Sequence, residues 1–177
     1  MRSGDRGRVV KDDVTVRAKY TLTGAASGAP HTITYWRLGE SLRAEDSAGL
    51  VFVAGTPGGD VVVRGVDGAL VRVGPGGLLP PLPAPELDAL ASAEQAVAWL
   101  DSGGAPLSRT TRVHAATGRP SVVSTWRLHA LRVVADAETE CVLDLDADGL
   151  RGPVAIRTSE FVLQDPDPDL FVLPQLG

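Results

Sequence analysis

Val14-Thr15-Val16-Arg17-Ala18-Lys19-Tyr20-Thr21-Leu22 alternates without a break. Val14, Val16, Ala18, Tyr20 and Leu22 fall on one side of an extended chain; Thr15, Arg17, Lys19 and Thr21 fall on the other. Successive strand side chains point to opposite faces, so this stretch reads as a strand with one face buried and one wet. Downstream, past the turn cluster Gly24–Pro30, His31–Leu38 is rich in β-branched and aromatic residues and reads as its hairpin partner. Ser41–Asp46 is polar and reads as a short strand near an edge, while Leu50–Ala54 is apolar throughout and reads as a central one. Asp60–Arg64 and Ala69–Val73 follow, joined around Asp67-Gly68, a favoured tight-turn pair. The chain to residue 73 is therefore a β meander.

Residues 74–85 break the pattern with five prolines and three glycines, which block both helix and ladder pairing. Leu78, Leu79 and Leu82 stand between them, either as core plugs or as the teeth of a flap. The spacing then predicts a helix over 86–101. Pro85 suits a first helical position, Ser92-Ala-Glu-Gln95 has the form of a capping box, and Gly103 and Gly104 end the segment. Leu87, Leu90, Val97 and Leu100 share its apolar face.

A second β set covers the rest. Arg109–Ala115 leads through Thr117-Gly118 to a long strand over Val122–Val134. Thr139–Leu145 and Val154–Leu163 follow, either side of Asp148-Gly149. Phe161 and Leu163 are out of phase with Val154 and Ile156, which predicts a bulge near Thr158–Glu160. Asp165-Pro-Asp-Pro-Asp169 is stiff and acidic, and Leu170–Leu173 reads as a last short strand. The expected fold is mainly β (α+β by count). It is a curved antiparallel half-barrel of about ten strands, with the single helical segment covering its concave face. Residues 1–13 form an N-terminal tail and 14–177 a single domain.

Composition narrows the function. At 177 residues, 44% hydrophobic and 22% charged, the chain can bury a core without disulfides or metals. A net charge of -5, with no run of lysines or arginines, argues against nucleic acid as partner. No stretch of 18 apolar residues spans a membrane. The polar Met1–Lys11 is no signal peptide, so the chain as given reads as cytoplasmic, or as extracytoplasmic if it is a mature or truncated domain. Cys141, the one cysteine, sits in an apolar alternation and reads as a buried structural thiol.

Motifs for chemistry are absent by spacing. Asp144-Leu-Asp-Ala-Asp148-Gly149 copies the start of a calcium loop, but Ala155 stands where the bidentate Glu belongs, so a hairpin turn is the better reading. Asp165, Asp167 and Asp169 are held apart by prolines, and the three histidines have no zinc spacing. No nucleophile elbow or phosphate loop is present. No metal or other cofactor is expected.

The whole pattern resembles the LolA-like group of periplasmic lipoprotein carriers and lipid-binding proteins. The resemblance rests on the opening meander with its Val66-Asp-Gly68-Ala-Leu70 hairpin, on Val113-His-Ala-Ala-Thr-Gly-Arg-Pro120, and on the ending Phe161–Pro174 with its Phe-x-x-Pro exit. It implies a curved half-barrel closed by helices over an apolar cavity. The first functional expectation is non-catalytic binding of a lipid or acyl chain, with Tyr20, Tyr35, Phe52, Leu90, Trp99, Trp126 and Leu128 as the wall. Beside it stand an enzyme that cyclises a hydrophobic substrate by shape, and an interaction domain that uses an exposed β edge or the 74–85 loop.

Overall fold

The computed structural model describes residues 13–24, 29–56, 58–78, 80, 106–127, 130–149 and 152–177. They form one antiparallel sheet of eleven strands: β1 (Thr15–Gly24), β2 (His31–Leu38), β3 (Ser41–Asp46), β4 (Gly49–Ala54), β5 (Val61–Arg64), β6 (Leu70–Val73), β7 (Ser108–Val113), β8 (Pro120–Thr125), β9 (Arg132–Asp136), β10 (Val142–Gly149) and β11 (Gly152–Gln164). The order across the sheet is β6-β5-β4-β3-β2-β1-β11-β10-β9-β8-β7. Two meanders thus run outward in opposite directions from a central seam. That seam joins the first strand to the last, from Thr15 opposite Gln164 to Gly24 opposite Val154. The sheet is open, with β6 and β7 at its two ends among the described residues. Residues 74–107 therefore connect one edge to the other. The helix expected over 86–101, most of the 74–85 loop and the tail to residue 12 lie outside the described residues.

The expected bulge is present in the seam: Lys19 faces Glu160 but Tyr20 faces Thr158, so Ser159 is the extra residue. Register shifts recur between Ala44 and Glu45 and between Val142 and Asp144. A bulge pulls carbonyls out of the ladder, and here side chains from the seam meet them. The Tyr20 hydroxyl donates to the Val142 carbonyl at 2.7 Å, and the Thr158 hydroxyl donates to that of Leu143.

One face carries the core. Ala18, Tyr20, Leu22, Ile33, Tyr35, Val133, Leu145 and Ile156 pack together there, almost fully buried. A smaller group, Val123, Val134 and Leu143, adjoins it through Phe161, which touches both.

The other face is crossed by the C-terminal segment. Asp167 N–H donates to Thr15 Oγ1 at 3.0 Å, Arg43 Nη1 to the Leu170 carbonyl at 2.9 Å, and Arg72 Nη2 to the Pro174 carbonyl at 3.3 Å. Arg43, Val53, Val62 and Arg72 are successive cross-strand partners, so the segment follows one row from the seam towards β6. Phe171 is its buried anchor. Gly55 lets the two approach closely, since a Cβ there would lie 2.7 Å from the Phe171 carbonyl oxygen. Gly55→Ala should therefore lift the segment and cost about 1–2 kcal/mol by overpacking. Urea denaturation and carboxypeptidase trimming of the C-terminus read this out. Gly74→Ala, whose Cβ would meet only ordinary contact, should change neither.

Three sequence expectations need correction. Val122–Val134 is not one strand. The Trp126 N–H donates to the Leu131 carbonyl at 2.8 Å, and Ala130 takes a φ of 45°, so the chain reverses between β8 and β9. Leu170–Leu173 is not a strand either: Pro168 starts a 3-10 turn, Pro168–Phe171, which packs across the sheet. Finally, β3 is not near an edge but has β4, β5 and β6 outside it.

Candidate functional site: an aromatic apolar face

The expected wall residues were chosen from separate strands, and the register decides which of them meet. Ala18 faces Tyr35 and Tyr20 faces Ile33, which makes the two tyrosines diagonal neighbours. Their rings pack edge to face, with centroids 5.5 Å apart and an interplanar angle of 61°. Tyr35 faces Ala44, and Ala44 faces Phe52, so Phe52 continues the same row two strands on. Trp126, at the head of the β8–β9 turn, joins the same cluster with Leu131. Four of the seven expected residues are thus brought together. Leu90, Trp99 and Leu128 lie outside the described residues.

The four are not equivalent. Tyr20 and Tyr35 are 0% and 1% exposed and hold strands together. Phe52 and Trp126 are only partly buried, so they carry the aromatic surface that remains open. The Trp126 indole Nε1–H is itself buried and meets no acceptor among the described residues. A buried indole N–H ordinarily finds a partner, and leaving it bare costs about 1–3 kcal/mol.

Sequence reading missed a charged cluster bordering this face. His31, opposite Leu22, brings its Nε2 to 3.2 Å from Asp46 Oδ2. Arg64 grips both oxygens of Asp46, one at 3.0 Å, and the Ala48 N–H donates to it at 2.8 Å. Burial pushes the Asp46 carboxyl up. The Arg64 and Ala48 hydrogen bonds and the charges of Arg64 and His31 outweigh this and hold it below the usual aspartate range. The only signal was an aspartate at one strand end and an arginine at another.

At the other end of the sheet, Asp136 is held by Arg119 at 2.8 and 3.1 Å and by the Thr139 N–H and hydroxyl, each at 2.8 Å. Arg119 also binds Glu138, and its guanidinium lies 5.5 Å from the Phe161 ring centre. His114 is buried between Thr117 Oγ1, 2.8 Å from its Nδ1, and Asp144 Oδ1, 3.2 Å from its Nε2. That trio resembles a catalytic relay, but the Thr117 hydroxyl also accepts the Arg119 N–H at 3.4 Å and is tied into its own turn. Asp144–Gly149 is the end of β10, and the chain runs back directly after it as a hairpin, with Gly149 facing Gly152. Cys141 is buried, as expected.

An open cleft of about 370 Å³ lies beneath the C-terminal segment, lined by Leu38, Ser41, Gly55, Thr56, Asp60, Pro168, Phe171, Val172 and Leu173. None of the wall residues chosen from sequence lines it. Among the described residues, no group of three or more His, Cys, Asp or Glu is placed to hold a metal, and no helix is long and apolar enough to cross a membrane.

The fold and site define a class: an open, all-antiparallel eleven-stranded sheet with aromatic side chains gathered on its apolar face. No protein-family model matches the chain, and no curated protein matches it significantly.

Proposed function

We propose that the protein is a non-catalytic carrier that holds a lipid or acyl chain against the aromatic face of its sheet. In this reading the sheet is a half-barrel of the LolA-like kind. An eleven-stranded twisted sheet tends to curl rather than stay flat, and bulges add to the bend. In the same reading the helix expected over 86–101 supplies the cover. Leu90 and Trp99 of the helix expected there, with Leu128, complete the wall begun by Tyr20, Tyr35, Phe52 and Trp126.

The observation that carries the proposal is the buried Trp126 Nε1–H with no acceptor among the described residues, set against the same apolar cluster as the partly buried Phe52. An acyl chain with an ester or carboxyl oxygen would cover the rings and accept that hydrogen bond. Native mass spectrometry of the freshly purified full chain should show a co-purifying hydrophobic molecule. Titration with palmitate should change tryptophan fluorescence saturably. Trp126→Phe, which keeps a ring and removes the donor, should weaken palmitate binding about fivefold, the equivalent of one hydrogen bond. Trp126→Ala should weaken it further. A protein that purifies empty and shows no saturable response would end the proposal.

A further inference from the structure

The β7 edge offers the clearest surface for a second role. All six residues of β7, Ser108–Val113, are exposed, so neither face of the strand is covered. It pairs with β8 alone among the described residues. The ladder shows which backbone groups are left over. His114 N–H donates to the Arg119 carbonyl, and the Ser121 hydroxyl donates to that of Arg112. Residues 108, 110, 112 and 114 therefore turn their backbone groups towards β8. Val113 faces Pro120, which has no N–H to give, in agreement with this alternation. The N–H and C=O groups of Arg109, Thr111 and Val113 point away from the sheet.

Edge strands of this kind are usually guarded by proline, lysine or a bulge within the strand. β7 contains no proline or lysine and has a continuous register with β8 from Ser108 to Val113. It carries Arg109 and Arg112 on opposite faces, and neither has an acidic partner among the described residues. The chain as a whole is acidic, with a net charge of -5. The opposite edge differs: β6 has four residues, and its arginine, Arg72, is already engaged by the Pro174 carbonyl and lies 3.9 Å from Asp60.

We infer that β7 is a docking edge for an extended acidic segment of a partner protein, which adds as a twelfth strand. The partner's backbone completes the bonds of Arg109, Thr111 and Val113, and its carboxylates meet Arg109 on one face and Arg112 on the other. A second copy of this chain is a poor occupant. A two-fold β7–β7 pairing brings arginine close to arginine, and like charges across a ladder repel. The charge therefore acts as a filter on which strand can add.

The test uses the full chain and a short fluorescein-labelled peptide with valines between glutamates spaced three positions apart, which puts carboxylates on both faces of an added strand. Anisotropy should show saturable binding, and hydrogen exchange should slow at the amides of residues 109, 111 and 113. Thr111→Pro removes one outward N–H and leaves the β8 ladder intact, so it should weaken binding about tenfold, with unchanged thermal stability. Arg109→Glu with Arg112→Glu should abolish binding and confer binding to the matching lysine–valine peptide. Equal binding by Thr111→Pro and the parent chain would reduce the contact to charge attraction and overturn the inference. So would an absence of binding, or a β7-dependent dimer of the parent chain that excludes the peptide.

Discussion

Tyr20→Ala is expected to cost about 4 kcal/mol, the upper range for removing a large buried side chain. Tyr20 is 0% exposed and sits in the seam strand, where the two meanders meet. Three contributions are lost together. The ring leaves a cavity among Ala18, Ile33, Tyr35 and Leu145, the edge-to-face contact with Tyr35 disappears, and the Val142 carbonyl loses the donor that the β10 bulge makes necessary. Tyr20→Phe separates the last from the first two: it keeps the ring and should cost about 1–2 kcal/mol, the range for one unpaired buried acceptor. Chemical denaturation of both variants gives the two figures. A small loss for Tyr20→Ala would mean that the seam is held by its backbone ladder alone. Hydrogen exchange adds a second readout: the loosening should be greatest at the β1–β11 and β10–β11 pairings and least at β5–β6, four strands away from the change.

The seam also shows what could be read from residues in order and what could not. Strand positions in the first meander follow from a local rule, the period of two, and β2 and β3 have the expected bounds. The bulge at Ser159 was legible for the same reason, because a phase slip between Ile156 and Phe161 is a property of one strand. The β8–β9 reversal was hidden. No Gly or Pro lies between Val122 and Val134, and the chain turns through Ala130, a residue with no turn chemistry to announce it. Leu170–Leu173 is apolar enough for a strand, yet Pro168 tightens it into a 3-10 turn, and Arg43 takes the Leu170 carbonyl as its acceptor. Sheet order is a matter of distant pairing, so the polar β3 was placed near an edge when β4, β5 and β6 lie outside it. The aromatic wall was half legible. Tyr20 and Tyr35 could be put on inward faces, but their near-complete burial, which leaves Phe52 and Trp126 as the open surface, depends on packing. The clusters around Asp46 and Asp136 were illegible, since each joins groups whose spacing means nothing until the hairpins close.

Asp136→Ala should be nearly as damaging as loss of the Tyr20 ring, at about 3 kcal/mol, because it removes one partner of a buried ion pair and leaves the other behind. The Asp136 side chain is 0% exposed and accepts from Arg119, from the Thr139 N–H and from the Thr139 hydroxyl. Without it, the Arg119 guanidinium keeps the half-exposed Glu138 and the Phe161 ring, and the Thr139 amide loses its acceptor in the tight β9–β10 turn. The pH dependence identifies the cause. Burial pushes the Asp136 carboxyl up, but the hydrogen bonds from Arg119 and Thr139 and the Arg119 charge outweigh it, so the group titrates below the ordinary 3.8. A carboxyl with a depressed folded value contributes stability that is fully present above the unfolded value and is lost as pH falls through the folded one. The stability gap between the parent chain and Asp136→Ala should therefore be constant from neutrality down to about pH 5, then narrow steadily below pH 4 as the unfolded chain takes up the proton first. Urea titrations at stepped pH measure that gap. A gap that held constant into strong acid would show that Asp136 acts by shape rather than by charge. A gap that widened on acidification would mean that burial of the Asp136 carboxyl outweighs its hydrogen bonds and raises its folded value.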